Sequence, residues 1–295
     1  MNTILKMIIL FFIEIYLKKA IIKHLKRLNK KDRMLGAVIG DIIGSPYEFH
    51  NIKTKNFSLF SDKCCFTDDT ILTCATAEWL LTNKRPEELL KKWGDLYKHR
   101  TYENGTVSAF GQGFTNWLKS GVSYNARTNG CVMRLSPIPL MINDLKSALD
   151  KAKRLTLITH NHPESLSAVQ AYIETTHMIK KKVPTSIIKK YISKKYDYDL
   201  SKSVDEIRPI YNKFYTSCKN SVPQAIICAL DATSYEDAIR NAVSIGGDSD
   251  TLACMAGGIA EIKFGIPKLI KTQAFKFMDK KVSDCVNSFY QKLHQ

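Results

Sequence analysis

The chain has 295 residues, 44% of them hydrophobic and 24% charged, with a formal net charge of +16. This is apolar content sufficient for a globular core and length sufficient for one large domain or two small ones. Eight cysteines fall without a C-x-x-C pair or regular spacing, which excludes a zinc ribbon and a small disulfide scaffold and points to a reducing, cytoplasmic compartment.

Residues 1–33 hold nine Lys/Arg against Glu14 and Asp32, a net +7 that leaves a diffuse +9 for the remainder. No basic stretch interleaved with aromatics occurs, so dedicated nucleic-acid binding is not expected. The apolar run from Met7 to Leu17 is broken by Glu14. It is shorter than the ~20 residues of a membrane span, and no small-residue cleavage site follows it. Two readings stand for residues 1–33: an extension from a start codon upstream of Met34, or an interfacial amphipathic helix that makes membrane contact.

From Leu35 onward the dominant period is helical. "GAVIGDIIGSPYEFHN" repeats glycine at 36, 40 and 44, which lets a helix approach a neighbour closely, and it places Asp41 on an apolar face where burial requires a partner. "CCFTDDTILT" offers Thr67 as an N-cap with Asp68 and Asp69 in the first turn of a helix over 70–81. Capping accounts for one acid, whereas two adjacent carboxylates repel and a cation would relieve them. "PEELLKKWGDLYKHR" starts a helix at Pro86, and Asn143 is a candidate N-cap, with Asp144 in the first turn, for "LKSALDKAKRLTLITH". Helices are also expected in "PESLSAVQAYIETTHMIK", "VPTSIIKKYISKK", "VPQAIICALDA", "SYEDAIRNAVSI" and "DTLACMAGGIAEIKFG". The expectation is one all-α domain over residues 34–295 with no repeat or linker.

Two polar stretches complete the candidate site. In "NGCVMRLSPIPL" the Asn129-Gly130 turn can present backbone N–H groups to a phosphate, with Arg134 as a fixed positive charge. His160 and His162 in "LITHNHPES" have no nearby third ligand, so substrate contact is favoured over zinc. In "GGDSDTLACMAGG", Gly246 and Gly247 allow a tight backbone, and Asp248, Asp250 and Thr251 offer hard oxygen ligands just before a helix. Together with Thr67, Asp68 and Asp69 they make a divalent-cation site.

Taken in this order, the segments resemble the ADP-ribosylglycohydrolase family, which contains dinitrogenase reductase-activating glycohydrolase and the eukaryotic ADP-ribosyl-acceptor hydrolases. The resemblance runs over Met34 to Gln295 and implies an all-α orthogonal multi-helix bundle with two magnesium or manganese ions in a cleft. The family's T-D-D motif matches Thr67, Asp68 and Asp69, and its D-x-D-T motif matches Asp248, Asp250 and Thr251. Its G-D-x-x-G-x-x-x-E segment matches Gly40, Asp41, Gly44 and Glu48, the glutamate tied to gating or catalysis in some members. Its phosphate-and-ribose loop matches Asn129, Gly130, Met133 and Arg134, with Cys131 and Val132 where small residues are more usual, and its T-H element matches Thr159 and His160.

The implied activity is hydrolysis of the C1″ bond between ADP-ribose and an acceptor, with metal holding ribose hydroxyls and Asp68, Asp69 or Glu48 activating water. The implied partner is an ADP-ribosylated protein or a small ADP-ribose conjugate, handled by a monomer. A second reading is a catalytically silent ADP-ribose-binding member of the same fold. The acceptor depends on cleft loops that the sequence alone does not expose.

Overall fold

A computed structural model describes residues 35–101 and 110–293. The expected extension or membrane-contacting helix at 1–33 lies outside these residues. Among the described residues there is no strand, and an isolated antiparallel bridge joins Thr128 to Ser217. The helices are α1 (Leu35–Gly44), α2 (Asp68–Leu81), α3 (Pro86–Tyr97), α4 (Gln112–Ser120), α5 (Pro137–Met141), α6 (Leu145–Leu157) and α7 (Pro163–Lys180). They continue with α8 (Thr185–Tyr196), α9 (Val204–Ile207), α10 (Cys218–Leu230), α11 (Tyr235–Ile245), α12 (Ser249–Phe264), α13 (Lys268–Ala274) and α14 (Lys280–Leu293).

The bundle is built around α12, in which every residue from Ser249 to Glu261 is buried. Five helices pack directly on it: α1, α2, α7, α10 and α11. A helix enclosed on all sides needs small or apolar residues around its whole circumference, and "SDTLACMAGGIAE" supplies them. The α1 contact is the tightest. A methyl group at Gly40 would run into the backbone of Ala253, and one at Gly36 into the carbonyl of Gly257. The glycine repeat therefore brings the backbones of α1 and α12 together, and Glu261 closes the far end by accepting the Gly36 N–H at 3.0 Å.

Local signals set most helix ends. Thr67 is extended, and its hydroxyl accepts the Asp69 N–H, so α2 begins two residues before the expected 70. Pro86 opens α3 with Glu87 and Glu88 in the first turn. The expected Asn143 cap is corrected by one residue: the Asp144 carboxylate accepts the Ser147 N–H at 2.8 Å, and Asn and Asp side by side cap almost equally well, so the sequence alone does not choose between them. Helix α10 starts at Cys218, five residues before Pro223, which it contains.

The long connection between α1 and α2 is stitched to α11. Lys55 pairs with Asp237, and Arg240 donates to the carbonyls of Lys55 (2.8 Å) and Phe57 (2.7 Å). These anchors hold Glu48 and its neighbours over the N-terminal end of α12. Among the described residues, no helix is long and apolar enough to cross a membrane.

Candidate metal centre

Asp41, on α1, is fully buried and meets four donors. Its Oδ2 accepts the N–H groups of Thr67 (2.9 Å) and Thr70 (3.1 Å) and the Thr70 hydroxyl, while Oδ1 accepts the Thr67 hydroxyl at 2.7 Å. Asp41 therefore ties the start of α2 to α1, the structural role its apolar setting suggests. This fixes where the next two carboxylates stand. Asp69 is turned inward and buried, and Asp68 is half-buried.

The second half of the cluster arrives on α12. The Thr251 hydroxyl donates to Asp69 Oδ2 at 3.1 Å, joining residues 182 apart in the chain. Asp248 precedes α12 without capping it, and its Oδ2 accepts the Asn129 side-chain N–H at 2.7 Å. One carboxylate oxygen from each of Asp41, Asp69 and Asp250 falls within 4.8 Å of the others, and Glu48, Asp248 and Asp250 form a second such group. Asp250 is shared between them.

The electrostatics of this cluster are unbalanced. Burial is the main force raising the pKa values of Asp41, Asp68, Asp69, Asp248 and Asp250. For Asp68, Asp69 and Asp250 the neighbouring carboxylates add to it. Glu48 is pushed up to about 8 by burial, then by Asp248 and Asp41. Buried oxygens Asp69 Oδ1 and Asp250 Oδ1 have no hydrogen-bond partner. Buried carboxylates are ordinarily paired or metal-bound. The donor set is all oxygen, from carboxylates and threonine hydroxyls, which fits hard divalent cations of the magnesium and manganese type.

The substrate loop flanks Asp248. A short 3-10 turn at Asn129–Cys131 runs into another at Met133–Leu135. Asn129 is buried with its amide on Asp248, Gly130 is partly exposed, and Cys131, Val132 and Met133 are buried. Arg134 is fully enclosed: Nη2 donates to the Leu155 carbonyl (3.3 Å) and the Thr159 hydroxyl (2.7 Å). The guanidinium thus supports the loop from behind instead of presenting its charge at the surface. His160 is wedged between the hydroxyls of Thr159 (Nδ1, 2.7 Å) and Thr128 (Nε2, 2.9 Å), with the Tyr124 ring 5.0 Å away. Burial, then the nearby Arg134 charge, lowers its pKa to about 3, so the imidazole is neutral. His162 stands apart, and its Nδ1 accepts the Glu164 N–H as the cap of α7.

A family model described as ADP-ribosylglycohydrolase matches residues 29–275. The chain belongs to the ADP-ribosylglycohydrolase family. As a member it is a hydrolase, and the reaction class is removal of ADP-ribose. It is 24% identical to a putative ADP-ribosyl glycohydrolase of Acanthamoeba polyphaga mimivirus, covering 79% of this chain and 86% of the relative. It is 22% identical to the ADP-ribosylhydrolase ARH3 of Danio rerio, covering 80% and 82% respectively. A third relative is the ADP-ribosylarginine hydrolase Tri1 of Pseudomonas putida (strain GB-1), 23% identical over 80% of this chain and 70% of that one. Among solved structures, an ADP-ribosylglycohydrolase-related protein complex superposes with a TM-score of 0.64 at 18% identity, over 90% of this chain and 99% of the other. That likeness establishes the shared all-α fold.

In this glycohydrolase some of the contacts that shape the site carry no motif. Tyr211 packs its ring against Gly247, and Tyr124 lies on His160, yet neither belongs to a recognisable pattern. Asn51 and Lys53 hold the turn before Asp248 from a segment almost 200 residues earlier. A polar Asn and a Lys three and five residues after a candidate catalytic Glu are the available signal, and it is weak on its own.

Proposed function

We propose that this glycohydrolase is a magnesium-dependent enzyme that cleaves the C1″ bond joining ADP-ribose to a protein side chain such as arginine or serine, or to a small conjugate. The observation that carries the reading is the cluster of five carboxylates, Asp41, Glu48, Asp69, Asp248 and Asp250, with two buried oxygens unpartnered and Asp68 close enough to feel their charge. Thr67, Asp68, Asp69, Asp248, Asp250 and Thr251 would hold two magnesium ions, with manganese as a substitute. Bound there, the metal supplies electrostatic stabilisation to the ribose oxygens and acidifies a water.

The chain's own residues divide the remaining work. Asp69 and Asp250 are too enclosed to exchange protons freely, and their role is to hold charge in place. Glu48 and Asp68 are the less buried acids and so the candidates for moving a proton to or from the water or leaving group. Asn129 to Met133, with Gly130 partly exposed and His160 behind it, form the wall for the pyrophosphate, and Arg134 stiffens that wall. A neutral His160 donates one N–H without adding charge. Asp69, Asp248 and Asp250, three of the expected ligands, stand in the two close groups, and this supports turnover over silent binding.

The test is release of ADP-ribose from ADP-ribosyl-arginine and ADP-ribosyl-serine peptides, with and without magnesium, by the parent and by Asp250→Ala. Magnesium-dependent release that the substitution abolishes is expected. Release that persists in chelator, or in Asp250→Ala at the parent rate, would overturn the metal reading.

A further inference from the structure

Asn51 follows Glu48 by three residues, and its side-chain amide bridges two backbones. Nδ2 donates to the carbonyls of Tyr47 (2.7 Å) and Glu48 (3.1 Å) on its own segment and to the Gly247 carbonyl (2.9 Å) across the cleft. Oδ1 accepts the Gly247 N–H at 2.7 Å. Two residues on, Lys53 Nζ donates to the carbonyls of Ile245 and Tyr211. The clasped turn is unusual: Gly246 and Gly247 have φ of 77° and 78°, a region that disfavours any residue with a Cβ. A Cβ on Gly246 would meet Lys53 Nζ at 2.9 Å and Asn51 Oδ1 at 3.1 Å, so the glycine and the clasp fit each other.

The next residue in the chain is Asp248. Glu48, Asp248 and Asp250 each place a carboxylate oxygen within 4.8 Å of the others, so like charges face one another across the cleft and the two segments need a tie between them. On the α12 side, Asp248 is held by Asn129, which donates to its Oδ2 at 2.7 Å, and by its own carbonyl, which accepts the Leu252 N–H at 2.9 Å; the Glu48 side needs its own tie. A neutral amide that both donates and accepts ties the segments together without adding charge. We propose that Asn51, assisted by Lys53, is a positioning clasp that sets the separation of Glu48 from Asp248 and Asp250 for divalent-cation binding. This rests on the metal reading above.

The experiment titrates Mn2+ into the metal-free full-length chain and follows free and bound Mn2+ by electron paramagnetic resonance, with helical content from circular dichroism. For Asn51→Ala, Mn2+ affinity falls about 10- to 100-fold, as for other groups that orient metal ligands. The line shape of bound Mn2+ changes while helical content stays at the parent value. Lys53→Met gives a smaller loss of the same kind. Parent-like affinity and line shape in Asn51→Ala overturn the clasp and leave the metal reading standing. A parent that binds no Mn2+ overturns the metal reading and the clasp with it. If Asn51→Ala does not fold, Lys53→Met decides: weakened binding supports the clasp, and parent-like binding overturns it.

Discussion

Removing a charge from the carboxylate cluster should act in opposite directions with and without metal. Asp250 is the acid common to both close groups, so Asp250→Asn is the informative change. Carboxylate oxygens within 4.8 Å of one another repel by about 3.5 kcal/mol per pair at an effective dielectric of 20. Proton uptake by the raised acids relieves much of that, so the substitution should stabilise the metal-free protein by about 1–3 kcal/mol, or roughly 2–10 °C in melting temperature. The parent should gain about 2.7 kcal/mol when magnesium stands 100-fold above its Kd. The variant should gain almost nothing. Thermal melts in chelator and across a magnesium series test this, and the two melting curves should exchange order as magnesium rises. A variant that melts below the metal-free parent and still gains as much from magnesium would refute the account of a repulsive cluster awaiting a cation.

Two further outcomes concern the supports of the site. His160 has a folded pKa of about 3 against an ordinary 6.5; a depressed value means the unfolded chain binds the proton first, so stability is present above about pH 6.5 and drains as pH falls toward 3. The loss between pH 7 and pH 5 is about 2 kcal/mol, and urea unfolding of His160→Gln should show the acid limb flattened by that amount; an unchanged limb would mean the imidazole is not buried neutral. For Arg134→Ala, both Nη2 bonds, to the Leu155 carbonyl and the Thr159 hydroxyl, are lost together with the packing of a fully buried side chain, lowering stability by about 2–4 kcal/mol by urea unfolding; no loss would place the guanidinium at the surface after all.

Much of the architecture was legible because it is written in local patterns. Thr67 with two acids marked the start of α2, Pro86 marked α3, and the glycines at 36, 40 and 44 announced a close helix contact whose partner proved to be α12. The family motifs likewise gathered Asp69, Asp248 and Asp250 in one place. Direction was harder to read. "N-G-C-V-M-R" places a positive charge beside a turn, but only packing decides that Arg134 points inward to Leu155 and Thr159. Contacts such as Asn51 to Gly247 span 196 residues and join an ordinary asparagine to a backbone, so no periodicity or spacing encodes them. Single-residue shifts, such as Asp144 for Asn143, reflect adjacent residues with nearly equal capping power.

The enclosure of α12 also bears on how the two halves of the carboxylate cluster can move. Local opening is cheap where backbone is exposed and apolar contacts are few, and α12 offers neither condition from Ser249 to Glu261. Its amides should exchange with solvent deuterium only through global unfolding. Asp248 and Asp250 are therefore fixed at the start of the most slowly opening helix, whereas Glu48 stands on a connection between helices. The two halves of the carboxylate cluster thus differ in how readily each can shift, and deuterium exchange resolved by segment would read that difference directly.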